Sequence, residues 1–185
     1  MKNIFLIIII SLSTNLFALL PISQQEEDGL IWLLESTKLS KDIYNDLHEI
    51  WNIQLFSSIE LVEDRDYKSI EKLLDKYLIK NPIKSIKKGE YSSPYISKLY
   101  SDFSQKYDDS EYEALRIAAT LEDLMISDIN DLLETSTNEE FINLFTTLRY
   151  SAISHIRGIN NLMKKKYKVE YQAQFLSILE LKNIL

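Results

Sequence analysis

Three stretches of this chain set apolar residues alternately four and three apart, and each is interrupted near its middle by an ionisable side chain. The stripes are Ile59, Glu63, Asp66, Ile70, Leu73, Tyr77; then Leu115, Ala118, Glu122, Met125, Ile129, Leu132; then Phe145, Leu148, Ala152, His155, Ile159, Leu162. Residues at this spacing share one face of an α-helix and look into the seam between packed helices. A carboxylate in such a seam loses its water, so it shifts its pKa or finds a partner. Glu63, Asp66, Glu122 and His155 come from three helices. They can neutralise one another or hold a cation, and a cation site inside a four-helix bundle is built in that way.

The rest of the chain agrees with helices and excludes several chemistries. Only three Gly and three Pro punctuate 185 residues rich in Leu, Ile, Lys, Glu and Asp, which predicts an all-α fold in one domain. A net charge of −7 argues against a nucleic-acid partner, which needs a basic face. Without Cys there is no disulfide, zinc ribbon or thiol nucleophile. With only two His, a metal site here must be rich in oxygen ligands, and such a set suits iron or manganese. No Ser-His-Asp order, glycine-rich phosphate loop or zinc-peptidase motif supports hydrolysis.

Residues 1–18 read as a cleavable secretory signal. Lys2 supplies the positive start, Ile4 to Ile10 the apolar run, Ser11 to Asn15 the polar turn, and Ala18 the small residue at the cut. The run is short of the ~20 residues a membrane span needs. The expectation is a mature domain over 19–185, exported to a bacterial periplasm, with no stable membrane insertion.

Helix signals place the elements of that domain. The first long helix runs from Gln24 or Gln25 to Trp51, with a weakly polar stripe through Leu33, Thr37, Ser40 and Tyr44. Ser57 or Ser58 can cap the second, which reaches Ile79. Pro82, Gly89 and Pro94 mark a long connection, with a short helix over Tyr95 to Tyr107. Asp108-Asp109-Ser110 opens the third long helix, ending near Glu134; Asn138 opens the fourth, closed by Lys164-Lys165-Lys166. Gln172 to Ile184 can form one more short helix outside the bundle. The two tightly linked pairs should be antiparallel, and the long connection permits a crossover between them.

Leu30, Glu35, Lys38-Leu39, Asp42, Tyr44, Trp51, Phe56-Ser57, Ile59 and Glu63, with Leu121-Glu122-Asp123, Asp128 and Ser154-His155-Ile156-Arg157, together carry a resemblance. Over about residues 24 to 180 the chain resembles the ferritin-like bacterial family known as domain of unknown function 2202. The resemblance implies a ferritin-like four-helix bundle with a short helix in the middle connection and another at the C-terminus. The ferritin-like pattern draws one Glu from each of two helices and a Glu-x-x-His from each of the others. Here Ser36 and Thr37 follow Glu35, Asp66 stands where a His is expected, and Ala152 stands where a Glu is expected. Glu63, Asp66, Glu122 and His155 remain, with Glu35 or Asp123 as a fifth. That set serves one metal ion and is thin for a bridged pair.

Plainer readings exist for each residue. Glu63 and Asp66 share a face as any i, i+3 pair does. His155 can be a core histidine bonded to Ser151 or Tyr44, and His48 a solvent-facing one. Arg65 and Arg149 can pair with the acids to make a metal-free salt-bridge network. Three functions follow: a protein binding one iron or manganese ion, a metal-free structural or interaction module, and a di-iron type oxidase. The last needs two open metals, which this residue set barely supplies.

Overall fold

The computed structural model describes residues 22–185, and the expected signal at 1–18 lies outside the described residues. Among those described there are six helices and no strand: α1 (Gln24–Trp51), α2 (Gln54–Lys76), α3 (Pro94–Ser104), α4 (Glu111–Thr135), α5 (Glu139–Tyr167) and α6 (Ile178–Ile184). None of them is long and apolar enough to cross a membrane.

Local chemistry sets the boundaries. Ser23 and Glu26 form a reciprocal capping box at the start of α1, and Ser93, Ser110, Asn138 and Ser177 cap α3, α4, α5 and α6 through their side chains. The basic run Lys164 to Lys166 lies in the last turn of α5, against the negative end of its dipole. One boundary differs from the sequence expectation. Neither Ser57 nor Ser58 caps α2; the N-cap position is Ile53, four residues before Ser57, and it makes no side-chain cap. The chain gets there because Asn52 takes a left-handed conformation (φ 49°) and ends α1 abruptly.

α1 packs most extensively on α2, and α4 on α5, while α1 also meets α4 and α3, and α2 meets α5. Side-chain pairs give the directions. Gln25 reaches Thr135 and Trp32 reaches Asp128, so α1 and α4 run oppositely. Lys76 meets Glu140 and Glu63 lies beside His155, so α2 and α5 do too. Gly29 lets α1 and α4 close up, since a Cβ there would stand 2.3 Å from Leu132 Cδ2. The chain between α2 and α4 returns along α1, with Trp51 Nε1 donating to the Tyr107 carbonyl near its end.

The three stripes face inward over all but their last members, Tyr77, Leu132 and Leu162, which are half-buried. Ile59, Glu63, Asp66, Ile70 and Leu73 are buried, as are Leu115, Ala118, Glu122, Met125 and Ile129, and Phe145, Leu148, Ala152, His155 and Ile159. Each fully buried Leu or Ile contributes about 1.5–3 kcal/mol. α1 is the most enclosed helix, with five charged residues, the acids Glu26, Glu35, Asp42 and Asp46 and the base Lys38, all buried.

Ile129 has no exposed surface, so Ile129→Asp places an unpaired charge in the α4 seam. We expect a loss of more than about 4 kcal/mol, read as collapse of the cooperative thermal transition. A melt unchanged from the parent contradicts this placement of α4.

Candidate metal centre

Glu63 on α2, Glu122 on α4 and His155 on α5 meet in the interior. Each offers one ligand atom, and the three atoms lie within 4.8 Å of one another. His155 Nδ1 stands 3.4 Å from Glu63 Oε1 and 3.4 Å from Glu122 Oε1. All three residues are nearly sealed from solvent, at 5 %, 1 % and 7 % exposure. Despite its two neighbours, Nδ1 makes no hydrogen bond to either, and it is one of three orphaned buried polar atoms among the described residues. Tyr44 on α1 completes the wall, its hydroxyl donating to Glu122 Oε1 with the Ala118 carbonyl 3.2 Å away.

Within the described residues, His155 is the only cationic group at ion-pairing distance from Glu63 or Glu122. Burial pushes the Glu63 carboxyl up to about 7, helped by the Glu122 charge and opposed by His155. Burial works against the His155 imidazolium, but the Glu122 charge, with Glu63 adding to it, outweighs that and raises the group to about 10. Burial and the Glu122 charge also push the Tyr44 phenol well above its ordinary value, so it stays a donor.

The donor set fits a divalent ion. Two donors each about 2.1 Å from one ion, about 109° apart at it, stand about 3.4 Å from each other. Two carboxylates and a neutral imidazole would balance a double positive charge without further counterions. The orphaned nitrogen, flanked by two acceptors that no lysine or arginine among the described residues reaches, is the observation behind that fit.

The other candidate ligands are elsewhere. Asp66 is buried, but its Oδ1 accepts from Arg65 Nε (3.1 Å) and an Arg65 terminal nitrogen (3.0 Å). Glu35 accepts from the backbone N–H of Ser92 and Ser93 and so holds the start of α3. Asp123 is wholly buried and accepts from Tyr171 Oη (2.8 Å) and from the N–H groups of Gln174, Phe175 and Leu176, pinning the C-terminal segment. Arg149 Nε donates to Asn130 rather than to the seam acids, so the metal-free network expected from two arginines is reduced to the Arg65–Asp66 pair. Ser151 accepts a long contact from Arg65, and half-buried His48 lies 3.2 Å from the Ile53 carbonyl. The sequence places Tyr44 on the inward α1 stripe and offers it as a partner for His155; the structure gives its hydroxyl to Glu122 instead.

Both raised groups make metal-free protein less stable as pH rises. The His155 contribution is complete below its unfolded value of 6.5 and is lost through about 10; the Glu63 contribution is complete below 4.5 and is lost through about 7. In chelator, the urea midpoint should therefore be lower at pH 9 than at pH 6, and the double variant Glu63→Gln/His155→Gln should remove most of that difference. Equal midpoints for the parent at the two pH values would contradict this charge arrangement.

The sequence profile of the family described as Uncharacterized protein domain (DUF2202) matches residues 26–185. An uncharacterized protein of Methanocaldococcus jannaschii, MJ0754, is 33 % identical over 165 residues, 89 % of each chain. The crystal structure of hypothetical protein MJ0754 superposes with a TM-score of 0.87 at 32 % identity, covering 90 % of this chain and 94 % of that one. The periplasmic localisation expected for an exported bacterial protein is corrected by this relative, which comes from an archaeon, a cell without a periplasm.

Proposed function

The chain belongs to the DUF2202 family, and we propose that it is a ferritin-like four-helix-bundle protein holding one iron or manganese ion between Glu63, Glu122 and His155. The observation that carries this reading is the orphaned His155 Nδ1, 3.4 Å from one oxygen of each buried glutamate. The antiparallel pairs α1/α2 and α4/α5, joined by a connection that returns along α1, support the ferritin-like description. Carboxylate oxygens with a single imidazole suit iron or manganese. Tyr44 holds the Glu122 carboxylate from behind, in the manner of outer partners that orient a ligand.

The reading stops at one ion and at binding. Asp66 faces Arg65, Glu35 and Asp123 are taken up by backbone N–H groups, and Ala152 supplies no donor. A di-iron oxidase would need those ligands, and fold likeness does not supply them. A second reading, a metal-free module that keeps the fold, is favoured by one fact: a protonated His155 beside Glu122 can balance the cluster without any ion.

The two readings separate on metal content and heat. The first expects about one iron or manganese per chain in protein purified from supplemented culture. It also expects a melting temperature about 5–10 °C above the chelated form at metal near 100 times its Kd. His155→Ala should abolish both the content and the shift. A parent protein without metal, whose melt ignores added iron, manganese and zinc, contradicts metal binding and leaves the metal-free module.

A further inference from the structure

Next to the centre lies a second polar feature that the binding reading does not use. Trp32, Ser36, Ser40 and Tyr44 step by four along α1, so each lies next to the one before it on the helix surface. Tyr44, at the inner end of this line, holds Glu122. At the outer end, Trp32 Nε1 donates to Asp128 Oδ2 at 2.8 Å.

Between the two ends is a cavity of about 10 Å³, lined by Ser36, Ser40, Asp128, Met125 and three leucines. That volume admits one water-sized particle. Ser36 is 7 % exposed, and among the described residues its Oγ has no hydrogen-bond partner although it lines this space. A buried hydroxyl left unpartnered costs about 1–3 kcal/mol, so the cavity is built for something that bonds to it. Outside it, a groove of about 280 Å³ opens to solvent, lined by Asp28, Asp128, Asp131 and Trp32 among others. Asp128 is the aspartate common to both spaces.

The geometry points to a cation route: divalent metal collects in the Asp28/Asp128/Asp131 groove, passes the Asp128 carboxylate into the Ser36/Ser40 cavity, and continues to Glu122. The distances along the helices are short. Met125 lines the cavity and stands three residues from Glu122 on α4; Ser40 stands four residues from Tyr44 on α1. The cavity is thus about one helical turn, roughly 5.4 Å, from the centre. The ligands it offers, a carboxylate and two hydroxyl oxygens, are those of a hard divalent ion in transit, too few to retain it. An acidic mouth raises the local cation concentration and hence the rate of capture. This inference rests on the metal-binding reading above.

The test uses chelator-stripped full-length protein at pH 7.5 with cobalt(II) chloride as the probe, followed by its visible absorption at equilibrium and by stopped flow. Asp128→Asn removes the charge and keeps the shape; Ser36→Val fills the cavity. Thermal melts establish that each variant is folded, and either one alone suffices. Loading should slow by about tenfold in each, with release slowed equally and affinity within about twofold of the parent. Loading at the parental rate in either folded variant overturns the route and leaves the metal centre standing. Affinity that falls in step with loading, with release unchanged, also overturns it, because Asp128 or Ser36 would then belong to the resting site. A parent that takes up no cobalt overturns route and centre together.

Discussion

A carboxylate removed from water has to be answered by a hydrogen bond, a cation or a proton, and this fold is organised around that demand. Glu26 accepts from the N–H groups of Thr137 and Asn138 and so ties the α4–α5 turn to α1. Asp42 takes Lys38, the Gly89 N–H and the Tyr91 hydroxyl; Asp46 takes Lys88, Tyr100 and Tyr107. Glu35 and Asp123 fasten the connection before α3 and the segment before α6. Each of these acids is a clasp that joins a helix to a piece of irregular chain. Gly89 shows how tightly they are made: its φ is +78°, and a Cβ there would stand 2.9 Å from Tyr100.

Set among such clasps, Glu63 and Glu122 differ in kind. They are equally buried, yet among the described residues they meet no lysine, no arginine and no backbone N–H, only His155 and the Tyr44 hydroxyl. A cluster under-supplied with donors in a protein that supplies them generously elsewhere is the reason for assigning it a cation. The same logic singles out Ser36, whose hydroxyl is orphaned a short distance along α1.

Much of this was legible in the sequence. The four-and-three spacing placed Glu63, Glu122 and His155 in the seam, because helical period and seam position are local properties. The caps at Ser110 and Asn138 were legible for the same reason. What escaped was long-range. Glu35 and Asp123 are inward acids on helices, as a ligand would be, and nothing in the sequence reveals that N–H groups 57 and 53 residues away take them up. Of the two arginines the sequence offered to the seam acids, Arg65 does bond its neighbour Asp66, whereas Arg149 turns to Asn130, a rotamer choice that spacing does not fix. The α2 start moved because one left-handed residue, Asn52, let the chain re-enter a helix sooner than its serines suggested. The periplasmic assignment failed for a different reason: it rested on residues 1–18 alone, and the archaeal relative overturned it.

The central claim is that an ion, and not a proton, satisfies Glu63, Glu122 and His155. It is tested most directly by anomalous diffraction from crystals of manganese-loaded or iron-loaded protein, recorded on both sides of the metal's absorption edge. The account expects one anomalous peak per chain, about 2.1 Å from His155 Nδ1 and about as far from one oxygen each of Glu63 and Glu122. A map with no peak there, and the imidazole turned to hydrogen-bond the two carboxylates, would contradict it.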